Sequence, residues 1–244
     1  DETINIPWPI PLGDALLSEK DKNHPRLDSV VPMKPRKTLV LGANGQVGSA
    51  LREIMPEAHF VSREEFDVTQ SEAFESFPWR QYSTAVDNAE TTEGRVSAWK
   101  TNVSSIGKLV QTCVEHRLTL VHISSDYVFD GKSNVPYRES DVLCPLGVYG
   151  QTKAAADVLV ETVPQHFLIR TSWVIGEGNN FVRTMASLAE RGIMPSVVND
   201  QIGRLTFTQD LAAGILHLLR TKPACGTYNL SNDGPASSWA DIAA

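Results

Sequence analysis

The stretch that most constrains this chain is Lys37-Thr-Leu-Val-Leu-Gly-Ala-Asn-Gly-Gln-Val-Gly48. Residues 38–41 form a short apolar run of strand length. The run enters Gly42, Asn44, Gly45 and Gly48, and residues 46–55, beginning with Gln46 and Val47, then read as a helix. Strand, glycine turn and helix start are the context of a dinucleotide-binding turn. Gly42 permits the tight turn, Gly45 lets backbone approach a pyrophosphate, and Gly48 lets the helix pack closely on the strand. The free N–H groups of the helix start then face phosphate charge. An ordinary βα turn can use the same glycines, so the reading depends on the rest of the chain.

That rest is consistent with one large α/β domain. The 244 residues are 41% hydrophobic, enough to bury a core. A formal charge of −7 argues against a nucleic-acid surface. Cys113, Cys144 and Cys225 have no close spacing, which excludes a disulfide framework or a cysteine zinc site and suits a reducing cytoplasm. No metal-ligand cluster stands out. No apolar run approaches membrane-spanning length, and no signal peptide is expected.

Residues 1–36 read as an extended arm or linker, because Ile6-Pro-Trp-Pro-Ile-Pro11 cannot be a central strand. From Lys37 onward strand and helix patterns alternate. Strands are expected at 58–61, 118–124, 166–170, 195–198 and 227–230. Helices are expected at 71–77 (capped by Ser71), 95–116, 148–163, 181–191 and 209–219, with a further start at 238. This predicts a doubly wound parallel sheet, Rossmann-like: a dinucleotide-binding domain over 37–170, with a smaller substrate-binding part over 171–244. One element is out of place. Between Phe77 and Arg95 a third strand is due, yet no apolar run of strand length stands there. Residues of that strand therefore read as missing near Ser83–Ala85, the alternative being a degenerate strand in their place.

Tyr149 and Lys153 lie four apart at a helix start and share a face. An ammonium beside a phenol lowers its pKa, making a proton donor and acceptor suited to carbonyl–alcohol interconversion. Ser125 follows the strand at 118–124, at the carboxyl edge where open α/β sheets bind ligands, and can hydrogen-bond a carbonyl. Glycine turn, strand-end hydroxyl and Tyr-x-x-x-Lys, in that order, resemble the extended branch of the short-chain dehydrogenase/reductase superfamily. Six blocks make the resemblance closer: Gly42-Ala-Asn-Gly-Gln-Val-Gly48, Thr84-Ala-Val-Asp-Asn-Ala-Glu90, Ser124-Ser-Asp-Tyr-Val-Phe-Asp-Gly131, Tyr149-Gly-Gln-Thr-Lys153, Arg170-Thr-Ser-Trp-Val174 and Asp200-Gln-Ile-Gly-Arg-Leu-Thr206. Together they are similar to the dTDP-4-dehydrorhamnose reductase family over residues 37–244. Trp8-Pro-Ile-Pro11, Leu17-Ser-Glu-Lys-Asp21 and His24-Pro25 resemble the C-terminal tail of the 3,5-epimerase of the same pathway, which implies an epimerase domain as partner in a parent fusion.

The resemblance implies reduction of the C4 ketone of a dTDP-linked 6-deoxysugar. Tyr149 would protonate the alkoxide, Lys153 would hold the nicotinamide ribose, and Ser125 would bond the carbonyl oxygen. Asp126, Tyr127, Trp173, Asn180, Gln201 and Arg204 would meet the substrate, together with Asn179 and Phe181, and Trp239 reads as core. Asn102 either supports Lys153 or is a helix-surface residue. Where an NAD site usually carries an acid, about 20 residues past the first glycine, Ser62 and Arg63 stand, followed by Glu64 and Glu65. Hydroxyl and guanidinium suit a 2′-phosphate, so NADPH is favoured, with NADH open; Asp67 and Val68 match the family's adenine side. The family often has Pro at Leu205 and Gly-Glu at Ala156-Asp157. Two rivals stay open: a non-catalytic regulatory subunit, and an epimerase or dehydratase, since Asp126 follows Ser125 directly.

Overall fold

The computed structural model describes residues 35–88 and 94–244, together with Leu16, Ser18, Glu19 and Asn23. The chain divides into two compact units, Asp1–Pro35 and Arg36–Ala244. The expected arm falls almost wholly outside the described residues, as do Ala89 and Glu90.

The second unit is built on six parallel strands in the order β2-β1-β3-β4-β5-β9: β1 Lys37–Leu41, β2 His59–Val61, β3 Tyr82–Asp87, β4 Thr119–Ser125, β5 His166–Thr171 and β9 Gly226–Asn229. The pleat sends alternate residues to opposite faces. Leu39, Leu41, Ala85, Leu120 and Leu168 face one core. It is closed by Phe74 of α2 (Ser71–Ser76), by Ile106, Leu109 and Cys113 of α4 (Ser105–His116), and by Ala156 and Val160 of α5 (Val148–Val160). Val40, Val86, Val121, Ile123, Phe167 and Ile169 face the other core, against α1 (Gln46–Ile54) and α7 (Thr208–Thr221). Both faces are buried, as the doubly wound reading requires. Burial pushes the Cys113 thiol up to about 12, with the nearby Asp87 charge adding to the effect, so this cysteine is an inert core residue.

Four sequence expectations change. The third strand is present: Tyr82–Asp87 pairs with β1 on one side and β4 on the other. It was hidden because Ser83, Thr84 and Asp87 break the apolar pattern. Thr84 and Asp87 are buried nonetheless, and Asp87 Oδ2 meets His122 Nδ1 of β4 at 2.8 Å. Part of the Thr84–Glu90 block thus forms the strand itself. The pattern expected as one helix over 95–116 is interrupted: α3 (Arg95–Trp99) passes through a π turn, Lys100–Ser104, before α4. Residues 195–198 form no strand. Ser71 is the first residue of α2 rather than its cap, which is Gln70.

Beyond β5 the chain makes two small pairs. The first is β6 (Val174–Ile175) with β8 (Thr206–Phe207), parallel; the second is β7 (Ile202–Gly203) with β10 (Ser237–Ser238), antiparallel. They flank α6 (Phe181–Glu190) and α8 (Trp239–Ala243). A capping box starts α8: Ser238 accepts from Asp241 N–H, and the Asp241 carboxylate accepts from Ser238 N–H.

Removing one member of a buried polar pair leaves the other desolvated and without that partner. Asp87→Ala should therefore cost about 3 kcal/mol, read as a lower urea midpoint. A cost below about 1 kcal/mol would mean that the pair does not secure β3.

Candidate active site

Chain order reverses direction between β1 and β3: β2 lies outside β1, and every later strand of the sheet lies beyond β3. The crevice at their carboxyl ends is the topological switch point where such sheets bind dinucleotides. Gly42 has φ +73°, a left-handed conformation that glycine adopts at no steric cost. A Cβ at Gly48 would lie 2.5 Å from the Gly42 carbonyl oxygen, so only glycine lets α1 approach β1 this closely. Gln46 Nε2 donates to the Asn179 carbonyl at 3.3 Å, while Gln46 Oε1 is buried without a protein partner. A cradle that side chains would fill and the helix-start amides together fit a dinucleotide pyrophosphate.

At the end of β2, Ser62 N–H donates to Glu65 Oε2 at 2.8 Å, so this carboxylate folds back onto the turn. Hydrogen bonding from Ser62 also lowers the pKa of exposed Glu64. Arg63 is largely exposed and lies 3.3 Å from Asp67 Oδ2, whose other oxygen accepts from Thr69. One exposed guanidinium therefore remains at the place expected for the adenosine ribose.

The residues expected to handle the proton, Ser125, Tyr149 and Lys153, are positioned by β4 and α5. β4 runs one residue further than expected, so Ser125 is its last residue and pairs with Thr171. Ser125 Oγ donates to Asp126 Oδ1 at 3.0 Å and accepts from Tyr127 N–H at 3.2 Å. Buried Lys153 donates from Nζ to the carbonyl of Ile123, two residues before Ser125, at 2.6 Å. Tyr149 is half-buried, and its ring stands edge-on to Tyr127 at 6.0 Å. Tyr127 thus touches both Ser125 and Tyr149. Gly150 allows this approach, since a Cβ there would fall 2.1 Å from the Tyr127 carbonyl oxygen.

Asn102 lies in the π turn and is buried, which removes the helix-surface reading. Its Nδ2 donates to Thr152 Oγ1 at 3.0 Å, and Thr152 Oγ1 donates to the Tyr149 carbonyl at 2.7 Å. It braces the helix that carries Tyr149 and Lys153. Asp157 lies on the same helix and meets Arg170 Nε at 2.9 Å, both side chains being buried. Arg170 also donates to the Glu139 carbonyl, tying the 129–147 loop to the sheet. The Ala156-Asp157 departure therefore supplies an ion pair, and Arg170 acts as a brace.

The expected substrate residues have different surroundings. Asp126 lines a cavity of about 650 Å³ together with Arg204, Lys132, Ser172 and Asn229. Lys132 was missed by the sequence reading, which had no reason to distinguish it from a solvated surface lysine. Tyr127 Oη lies 3.5 Å from Gln201 Oε1. Asn180 is engaged as the cap of α6: its oxygen accepts from Arg183 N–H and its amide donates to the Gly176 carbonyl. Trp173 is buried at φ +42°, with one ring face stacked on Trp239 at 3.7 Å between centroids. Gly203 is so close to the Trp173 ring that a Cβ there would fall 2.7 Å from it. Trp239, expected in the core, is only half-buried and also leans on Phe181 at 4.4 Å. Leu205 leads directly into β8, where Thr206 N–H donates to the Trp173 carbonyl at 3.1 Å.

The model of the RmlD substrate binding domain family matches residues 36–244. The chain belongs to this family. A dTDP-4-dehydrorhamnose reductase of Aggregatibacter actinomycetemcomitans is 33% identical over 228 residues, covering 85% of this chain and 76% of that protein. Among solved structures, a dTDP-4-dehydrorhamnose reductase from Clostridium acetobutylicum superposes with a TM-score of 0.80 at 32% identity, covering 85% of this chain and 78% of the other. The Bacillus anthracis dTDP-4-dehydrorhamnose reductase, solved in complex with NADP, gives 0.78 at 30% identity, over 87% and 80%. The family and the glycine cradle make this chain an NAD(P)H-dependent oxidoreductase of the extended short-chain dehydrogenase/reductase fold. Among the described residues, no helix is long and apolar enough to cross a membrane.

Burial pushes the Asp126 carboxyl up to about 6, against the lowering effect of its hydrogen bond from Ser125. The folded state therefore holds a proton that the unfolded chain releases near pH 4. Stability contributed by protonated Asp126 should be present below about pH 4 and lost as pH rises to about 6. Asp126→Asn should remove that slope in melting temperature against pH, and parallel curves for both proteins would refute the assignment.

Proposed function

We propose that this protein reduces the C4 ketone of dTDP-4-dehydro-L-rhamnose to dTDP-L-rhamnose with NADPH. The observation that carries the proposal is the arrangement of Ser125, Tyr149 and Lys153, tied to the carboxyl end of β4 through Tyr127 and the Ile123 carbonyl. The reduced nicotinamide, when bound, supplies the hydride. Ser125 Oγ hydrogen-bonds the ketone oxygen and orients it. Tyr149 Oη delivers the proton as that oxygen gains charge. Lys153, on the same helical face as Tyr149, holds the cofactor ribose. Arg63 with Ser62 takes the 2′-phosphate and favours NADPH over NADH, and Asp67 and Val68 flank the adenine. Asp126, Tyr127 and Gln201 line the sugar site. Arg204 and Lys132 offer cations to the diphosphate. Residues 1–36 support a partnership with an epimerase domain, and the reaction belongs in the cytoplasm.

A second reading, as an epimerase or dehydratase, is favoured by Asp126: its carboxyl is held protonated to about pH 6 beside Ser125. The two readings differ in cofactor balance, because those enzymes regenerate their cofactor while a reductase consumes it. With enzymatically made dTDP-4-dehydro-L-rhamnose, absorbance of reduced cofactor should fall stoichiometrically. Tyr149→Phe should lower kcat by about 10²- to 10⁴-fold, the range of general-acid catalysis. Turnover of the sugar without loss of NADPH would favour the second reading.

A further inference from the structure

We propose that Asn88 is the cap of the cofactor-binding helix, supplied from the neighbouring strand, and that it positions the pyrophosphate site. Helix α1 begins after Gly45, an N-cap residue with no side chain to receive the amides of the first turn. A helix start leaves such amides without acceptors, and an Asn or Ser at the N-cap usually takes the one at the third helical position. Here that position is Gly48. Asn88 follows β3 directly, and β3 pairs Asp87 with Leu41, so Asn88 stands opposite Gly42 across the switch point. With its amide oriented to satisfy both neighbours, Asn88 accepts from Gly48 N–H at 3.2 Å and donates to the Gly42 carbonyl at 3.1 Å. The same carbonyl accepts from Gly45 N–H at 3.0 Å, so one oxygen closes the turn from two directions.

The clamp explains the glycine at 42 twice over, since a Cβ there would also strike the Asn88 side chain at 2.4 Å. Its consequence for binding follows from which amides remain. Gln46 and Val47 occupy the first two helical positions, whose N–H groups have no intrahelical acceptor. With Gly48 satisfied from β3, these two amides are left for an anion and are held in fixed directions. Asn88 is thus a positioning residue that acts on the cofactor through the glycine turn. The inference concerns the cofactor alone and does not depend on which sugar is reduced.

The test is fluorescence titration of NADPH, with adenosine 2′-phosphate, which lacks the pyrophosphate, as the control ligand. Asn88→Ala removes the cap and should weaken NADPH binding about fivefold to tenfold, the equivalent of one lost N-cap. Asn88→Asp keeps an acceptor for Gly48 N–H but sets carboxylate charge against the Gly42 carbonyl and beside the pyrophosphate. It should weaken NADPH at least as much, with the loss shrinking as salt screens the charge. Binding of adenosine 2′-phosphate should stay within twofold in both variants. Asn88→Asp carries the test alone if Asn88→Ala does not fold. NADPH affinity unchanged in the folded variants, or adenosine 2′-phosphate weakened in parallel, would overturn the proposal.

Discussion

The structure depends on how closely one helix start can approach one strand end. The Gly42 carbonyl, the Gly48 backbone and the Asn88 side chain occupy a space in which added methyl groups would fall 2.4–2.5 Å from their neighbours. That approach aims the first amides of α1 into the crevice between β1 and β3. β1 is flanked by β2 and β3, so the crevice opens at that point of the sheet. The two cores on either side of the sheet hold this edge rigid, so the site is built from strand ends and helix starts.

The half proposed to be catalytic is secured by buried polar contacts. Lys153 is buried, a costly place for an ammonium unless it is hydrogen-bonded. Its bond to the Ile123 carbonyl meets part of that need and tethers α5 to β4. Asn102 and Thr152 tie α5 to the π turn, and Asp157 with Arg170 ties it to β5 and the 129–147 loop. Polar groups that could not be left unpaired in the interior therefore set where Tyr149 stands. The part beyond β5 is held by short strand pairs and the aromatic contacts among Trp173, Trp239 and Phe181.

Much of this was legible in the sequence because it depends on local spacing. The glycines at 42, 45 and 48, the four-residue step from Tyr149 to Lys153, and the apolar runs of β1, β4 and β5 each carry their own periodicity. They determined a doubly wound sheet with a dinucleotide turn and a Tyr–Lys pair near a strand-end serine. The resemblance carried by six blocks added the chemistry.

Other features were decided only by tertiary structure, because they depend on partners distant in sequence. β3 looked absent, since a strand bearing Ser83, Thr84 and Asp87 has no apolar signature; His122, 35 residues away in sequence, is one partner that meets Asp87 inside. Asn102 could not be told from a surface residue until Thr152 met it. Trp173 is buried and Trp239 only half-buried because the two rings stack on each other, with Gly203 close against the Trp173 ring. Asn88 stood in a block that carried the resemblance but gave no sign of capping, as a cap is recognised in sequence only when it precedes its own helix. Local periodicity thus set most of the elements, while the satisfaction of buried polar groups across the sheet set β3 and how the elements meet.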